Sequence, residues 1–586
     1  MKDLPFHLRK YIVEQDEAKY TAIDHSVWRY VLRQLRNFLK VHAHECYLDG
    51  LEKTGIEVEH IPKISDISKK LEQFGWRALP VSGFIPPAAF MEMQSLGILP
   101  IASDMRSLGH LMYTPAPDIV HEAAGHAPIL IHPEFANYLR EYAQVAKKAI
   151  ISMEDMELYK AIRILSDVKE NPNSSAEEVK LAEEDLEKKS KNITFISEAA
   201  QLGRMNWWTA EYGLIGEMSS PKIFGAGLLS SVGESRMCLS DSVKKIPLTI
   251  NCINQTYDIT EPQPQLFVAK NFQDLHKVLH EFSEQMSFRQ GGIESLKKIQ
   301  IARTVNTVQL NSGLQISGEL KKFITDSGKD SSDLGSISKN ENVAYLQFQG
   351  PTQISFEDRE IPDHGKSYHN HGFGTPVGYL KKFPTKCPSE LNDSEFTSLG
   401  LQLGQTVTLD FTSGVKITGM YLGRIIKKGR TVMISLKEAT AKFNSLTLFE
   451  PAWGNFDVAL GSSIPSVFGG PADRETYGEL EDFVVKKVTV PPLSEKQKQL
   501  NYLYSDVRYL RENQISGETL KTGLEKIYKI QNEQFPEEWL LKLEIYELSL
   551  KIDSNLSTTL KSELEKMKTN LEYKILIEDG LSLAGQ

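Results

Sequence analysis

Cysteine is scarce in this chain: Cys46, Cys238, Cys252 and Cys387 are the only four in 586 residues. They lie too far apart for a CxxC zinc or redox motif and are too few for a disulfide framework, so they read as reduced core thiols. Long apolar runs are missing as well. No stretch approaches the eighteen or so apolar residues of a membrane span, and the N-terminal MKDLPFHLRKYIVEQDEAKY has no apolar centre of an export signal. A cytoplasmic protein with no membrane partner is expected. Nor is there an excess of basic charge: 67 Lys+Arg against 77 Asp+Glu leave a net charge of -10, which disfavours a nucleic-acid partner. No repeat of fixed period is evident.

What is present is an ordinary globular composition, 40% hydrophobic and 25% charged, long enough for about two to four domains. From Ser26 to Leu51, Val27, Tyr30, Val31, Leu35, Phe38 and Leu39 recur at three and four, which predicts an amphipathic helix. A second helical pattern covers Ile64 to Phe74, and more follow to about Phe288, so residues 1–298 are expected to form one mainly α domain. Within it, the Lys/Glu-rich stretch 154–192, broken by Asn171-Pro172-Asn173, predicts a solvated helical hairpin inserted into the domain. Residues 299–490 are expected to be β-rich, from runs such as Val343–Phe348, Val407–Phe411, Val415–Thr418 and Thr431–Leu436 divided by turn residues. Pro491-Pro492 marks a break, and 491–586 returns to helical patterning interrupted at Phe535-Pro536. The fold class is thus multidomain: mainly α, then β-rich, then a C-terminal helical segment.

The strongest constellation is Thr114-Pro115-Ala116-Pro117-Asp118-Ile119-Val120-His121-Glu122-Ala123-Ala124-Gly125-His126. A zinc-protease helix needs its second His at i+4, on the same face, whereas here it stands at i+5. On an ideal α-helix that spacing separates the two rings by roughly 140°. Shared coordination therefore requires the helix to end or distort, and Gly125 and Pro128 are suited to the break. Two neutral imidazoles fit a borderline divalent metal, and one carboxylate from elsewhere would complete the facial triad of a non-haem Fe(II) oxygenase. Glu211, in the apolar and aromatic run Asn206-Trp207-Trp208-Thr209-Ala210-Glu211-Tyr212, is the candidate, because an unpaired carboxylate there would be costly to bury. Taken singly, each of these residues is more often a hydrogen-bonded structural group.

Five blocks together resemble the catalytic domain of the pterin-dependent aromatic amino acid hydroxylases, closest in type to those acting on phenylalanine. They are RALPVSGFIPPAAF (77–90), MYTPAPDIVHEAAGHAP (112–128), WWTAEYGL (207–214), FGAGLLSSVGE (224–234) and YDITEPQPQLF (257–267). The resemblance implies that His121, His126 and Glu211 ligate Fe(II), with a tetrahydropterin and O2 as the other reactants and a free aromatic amino acid as substrate. It implies that Ser230 hydrogen-bonds an iron-ligating His, here His121. Arg106 is implied to grip the amino acid's carboxylate, with Thr114, Pro117 and Trp207 lining its pocket. Phe90 falls where an aromatic stacks on the pterin, and Phe84, Ile85, Glu122 and Tyr257 fall at other pterin neighbours. Glu122 can equally be a first-turn helix acid, and Asp118 is read as a helix cap.

The sequence departs from the family at Asn206, where an aromatic usually precedes the Trp, at Pro86-Pro87 beside the pterin region, and at Pro100. Ile259 falls where the family's tyrosine enzymes carry an acid. An apolar wall offers a substrate hydroxyl no partner, so phenylalanine is the expected substrate, with tryptophan and tyrosine as alternatives. The family's regulatory domain is not expected in the short stretch before Ser26, and residues 300–586 do not resemble its tetramerisation helix. There, Asp363 to Gly374 places three His within eight residues; with no Cys or second acidic pair in it, a polar Gly-rich loop is expected. The last helical segment, amphipathic around Trp539–Leu548, is expected to pack on the β-rich part or on another subunit, the latter giving a homo-oligomer. Two other classes remain open: a zinc-loaded hydrolase, and a scaffold carrying a vestigial hydroxylase domain.

Overall fold

The computed structural model describes residues 4–83, 85–112, 117–170, 174–258, 262–478, 493–552 and 555–584. The first long helix, Ala22–His42, starts at a capping box in which Thr21 and Asp24 bond each other's backbone N–H, and it buries Val27, Tyr30, Val31, Leu35 and Leu39. The continuous pattern expected from Ser26 to Leu51 is split, since the chain turns at Ala43 and a second helix runs Cys46–Thr54. Strands Arg77–Val81 and Ile98–Ala102 pair in parallel around the helix Pro87–Ser95. A small four-stranded sheet, in the order Lys222–Ile223, Leu214–Ile215, Gln265–Ala269, Lys244–Pro247, backs the segment that carries Glu211. Helices Met153–Glu170 and Ala176–Lys191 pack on each other through Lys169–Glu183 and Lys189–Glu157 ion pairs.

From Val305 to Gly469 the chain forms two sheets. Strands Val305–Gln309, Leu314–Thr325, Val343–Phe356, Gly372–Pro376 and Ser466–Gly469 belong to one; Thr406–Asp410, Val415–Lys427, Arg430–Phe443 and Phe456–Ala459 belong to the other. The helix Gly292–Ala302, which straddles the boundary expected at 298, gives Ile293, Leu296, Ile299 and Ala302 to the hydrophobic cluster of the first sheet. Cys46, Cys238, Cys252 and Cys387 are free thiols, and no helix among the described residues is long and apolar enough to cross a membrane.

The C-terminal helices dock where the sequence did not suggest. They share one hydrophobic core with residues 22–286, packing on Ala22–His42. Trp539–Ser549, read as amphipathic, is buried on nearly every side, including Lys542 and Glu544. Such a helix can be central only if its charges are paired, and they are. Glu544 accepts from Arg29 and Arg511, each at 2.8 Å, Glu547 from Arg33 and Arg511, and Lys542 reaches Glu563 at 2.6 Å. Burial would raise the Glu544 carboxyl, but the surrounding guanidinium groups hold it below its ordinary range. Removing one partner of a buried pair leaves the other charge uncompensated at a cost of about 3–5 kcal/mol. Glu544→Ala takes one carboxylate from both Arg29 and Arg511 but leaves them Glu59 and Glu547, so it is expected to lower stability by about 1.5–3 kcal/mol, the range of a hydrogen bond to a charged group, in urea unfolding, with no loss of metal-binding residues.

Candidate metal centre

The segment bearing the two histidines begins at Asp118, whose carboxylate accepts the His121 backbone N–H at 3.0 Å. From Val120 to His126 the backbone winds as a π-helix, and the Ala127 N–H reaches back to the Glu122 carbonyl. A turn closed at i+5 brings the fifth residue along nearly back over the first, so His121 and His126 share a face. Of the two alternatives the spacing left, an end or a distortion, the helix takes the second: it does not break at Gly125 but widens, and continues as a 3-10 turn through Pro128. Gly125 matters through its size, because a Cβ there would stand 2.6 Å from the Ala226 carbonyl oxygen. A second π turn, Trp207–Glu211, in which the Tyr212 N–H bonds the Trp207 carbonyl at 2.8 Å, sets Glu211 opposite the histidines.

Glu211 Oε2 lies 3.3 Å from His121 Nε2 and Oε1 lies 3.3 Å from His126 Nε2. The two rings stand at 86° with centroids 5.0 Å apart, so the three donor atoms converge. Ser230 fixes the state of His121. Its hydroxyl donates to the Ala226 carbonyl at 2.7 Å, so its oxygen accepts Nδ1–H of His121 at 3.1 Å. That leaves Nε2 with a lone pair pointing at a carboxylate oxygen, an arrangement that requires a cation or a proton between them.

The electrostatics agree. Burial alone would push His126 down, but the charge and hydrogen bond of Glu211, with the charge of Glu122, raise it to about 9. Burial would raise Glu211, yet the two imidazoles hold its carboxyl well below the usual range. The fixed negative charge is answered by a proton that a divalent cation would displace. Two imidazole nitrogens and a carboxylate are a suitable donor set for Fe(II).

Around this triad, Asn206 Nδ2 donates to Glu211 Oε1 at 3.3 Å, a contact that sequence reasoning missed because Asn206 registered only as a departure from an aromatic. Asp118 caps His121 as expected and does more: it holds buried Arg106 through Nε at 2.7 Å and Nη2 at 2.8 Å, while Nη1 of Arg106 donates to the Ser230 carbonyl at 3.2 Å. Of the five guanidinium N–H groups, two remain without a partner among the described residues, one on each terminal nitrogen. Trp207 lies between Tyr257 (4.2 Å, 9°) and Tyr212 (4.5 Å, 22°), so both its faces are covered and only its edge is left for a pocket. Tyr257 thus stacks on Trp207, and Tyr212 donates to Glu234 at 3.0 Å. Glu122 is an acid of the first turn, as one reading had it, and is buried there; burial raises its carboxyl, and Oε2 has no hydrogen-bond partner among the described residues. Pro117 is half-buried beside the site segment. Ile85 and Phe90 pack with Leu8, Tyr11, Val81 and Met93 of an N-terminal cluster. Phe84, Thr114 and Ile259 lie outside the described residues.

Residues 9–158 and 180–315 match the family described as biopterin-dependent aromatic amino acid hydroxylases. The interval between the two matched segments falls within the helical hairpin. Phenylalanine-4-hydroxylase of Mesorhizobium japonicum is 28% identical over 269 residues, 45% of this chain and 81% of that protein. The enzyme of that name from Rattus norvegicus is 30% identical over 272 residues, and the chain spans only 50% of its length. Among solved structures, Chromobacterium violaceum phenylalanine hydroxylase with bound iron(III) and 7,8-dihydrobiopterin aligns at 26% identity, covering 47% of this chain and 85% of that one, with a TM-score of 0.38.

Two substitutions probe the geometry. Ser230→Ala removes the acceptor that orients His121 and is expected to weaken ferrous iron binding by about 10–100-fold, read as iron retained after dialysis against a chelator. Gly125→Ala forces the widened turn away from Ala226, with an expected loss of about 1–3 kcal/mol in thermal unfolding.

Proposed function

We propose, from the match of residues 9–158 and 180–315 to the biopterin-dependent aromatic amino acid hydroxylases, that the chain is an Fe(II)- and tetrahydropterin-dependent monooxygenase that hydroxylates free phenylalanine to tyrosine. The observation that carries the reading is the convergence of His121 Nε2 and His126 Nε2, from the first matched segment, with Glu211, from the second. Those three residues would hold the iron. Iron and tetrahydropterin, when bound, supply the electrons and the open coordination needed to activate O2, which no side chain provides.

The remaining tasks belong to the chain. Ser230 keeps His121 in the tautomer whose Nε2 is a donor to metal. Asp118 fixes Arg106 so that its two remaining N–H groups can take the substrate carboxylate as a fork. The edge of Trp207 and Pro117 would bound the substrate ring, with Thr114 and Ile259 completing the pocket. Ile259, being apolar, favours phenylalanine over tyrosine. Glu122 holds a buried carboxyl whose Oε2 has no hydrogen-bond partner among the described residues, suited to accept a hydrogen bond from, or give a proton to, a pterin ring beside the metal. Phe84, Ile85, Phe90 and Tyr257 are the proposed apolar and aromatic neighbours of that ring.

We take residues 1–298 as the catalytic domain with the 154–192 hairpin inserted, 299–490 as a β-rich domain and 491–586 as a helical segment, in a reducing cytoplasmic setting that suits four free thiols. Aerobic turnover of the iron-loaded chain with a tetrahydropterin should form tyrosine from phenylalanine together with pterin oxidation, and Glu211→Ala should abolish both. Pterin oxidation without tyrosine would reject phenylalanine as substrate. Glu122→Gln should retain iron and raise the KM for the pterin more than that for phenylalanine, by about tenfold if one charge-assisted hydrogen bond of about 1.5 kcal/mol is lost.

A further inference from the structure

A second group of metal-type ligands lies in the β-rich part. Two of the three histidines in the Asp363–Gly374 loop, His364 and His369, turn inward with relative exposures of 9% and 7%. The acid missing from that loop comes from elsewhere: Asp457, 4% exposed, on the strand Phe456–Ala459. His364 Nδ1 is 3.2 Å from His369 Nε2 and 3.9 Å from Asp457 Oδ2. All three donor atoms fall within 4.8 Å of one another. Nitrogens bound to one cation at about 2.0–2.1 Å stand about 2.8–3.4 Å apart for angles between square and tetrahedral, and the observed pair fits.

The ligands are held by contacts other than each other. The His364 carbonyl accepts from Ile354 N–H at 2.9 Å, and that of His369 accepts from Thr352 N–H at 3.0 Å, tying the loop to the strand Val343–Phe356. On the other sheet, Asp457 pairs with Ser435, whose hydroxyl donates to Oδ1 and so leaves Oδ2 turned to the imidazoles. The hydroxyl of Tyr368, a residue 49% exposed, also borders this carboxylate. Oriented carboxylates and backbone-fixed histidines are the usual support of a metal site.

We propose that His364, His369 and Asp457 bind a divalent late first-row cation of the zinc class, joining the two sheets of the β-rich part and leaving a coordination position open. Two imidazoles and one carboxylate match the donor preference of such ions and not that of magnesium or calcium. This site is independent of the hydroxylase triad, so each can fail alone.

The test uses the full chain, stripped with a chelator, reloaded with Co(II) and freed of excess metal by gel filtration. Wild type should retain two equivalents. Glu211→Ala should retain one, and His369→Gln or Asp457→Asn should each retain one, with the equivalent at His121 and His126 reporting that the variant has folded. Glu211→Ala combined with His369→Gln should retain none. The proposal is overturned if wild type holds a single equivalent that Glu211→Ala removes, or if His369→Gln and Asp457→Asn hold as much as wild type. A variant that retains no metal is compared by thermal unfolding with and without Co(II); for Asp457→Asn, loss of any Co(II)-dependent gain specific to wild type supports the assignment, and an unchanged gain counts against it.

Discussion

One extra residue in a helical turn governs the metal centre. An α-helix would hold His121 and His126 on different sides, and no rotamer choice repairs a gap of roughly 140°. Closing the hydrogen bond at i+5 instead removes the gap, and the same device recurs at Trp207–Glu211, so both halves of the triad rest on widened turns. A widened turn has poorer internal packing than an α-helix and needs support from outside. Here it comes from the Ala226–Leu229 helix pressed against Gly125, and from Ser230 at the end of that helix. Gly225 makes the complementary approach, since a Cβ there would lie 2.4 Å from the Glu211 carbonyl oxygen. Backbone widening, close-approach glycines and the serine are one assembly.

A similar economy links Arg106, Asp118 and His121. The Asp118 carboxylate takes four N–H donors at once: the His121 backbone, the Arg106 backbone and two from the Arg106 guanidinium. Burial would raise that carboxyl, but Arg106 and these hydrogen bonds hold it below its ordinary range. A fixed carboxylate thereby couples the position of the proposed substrate-binding cation to the start of the metal-bearing turn. Any displacement of Arg106 is felt at His121.

Much of the site was legible because its residues are chemically expensive to bury. His121, His126 and Glu211 stand out in apolar surroundings, and the structure brings them together. The means was not legible: an i+5 spacing signals distortion without saying which kind, and Gly125 suggested a break when its service is close packing. Asn206 and Asp118 were underread, the first because it looked like a mere substitution and the second because a cap explains an Asp fully at the level of sequence. Contacts between distant segments were hidden altogether. Nothing near Trp539–Ser549 announces that its acids answer Arg29 and Arg33, and nothing near His364 points to Asp457. The strands of the β-rich part, by contrast, follow their own alternation; Val415–Lys427 and Arg430–Phe443 extend the short runs seen in sequence to a long hairpin.

The docking of the last helices on Ala22–His42 also has a consequence in time. Arg29 and its partner Glu544 are 515 residues apart in the chain. At synthesis rates of about 5–20 residues per second, roughly half a minute to two minutes separate the emergence of the first helix from that of its partner. Throughout that interval the helix face that will be covered is bare, with an arginine that cannot yet be neutralised by its final contact. Translation of the β-rich part thus acts as a delay, and the shared core is completed only when a stretch made 515 residues later reaches the first helix.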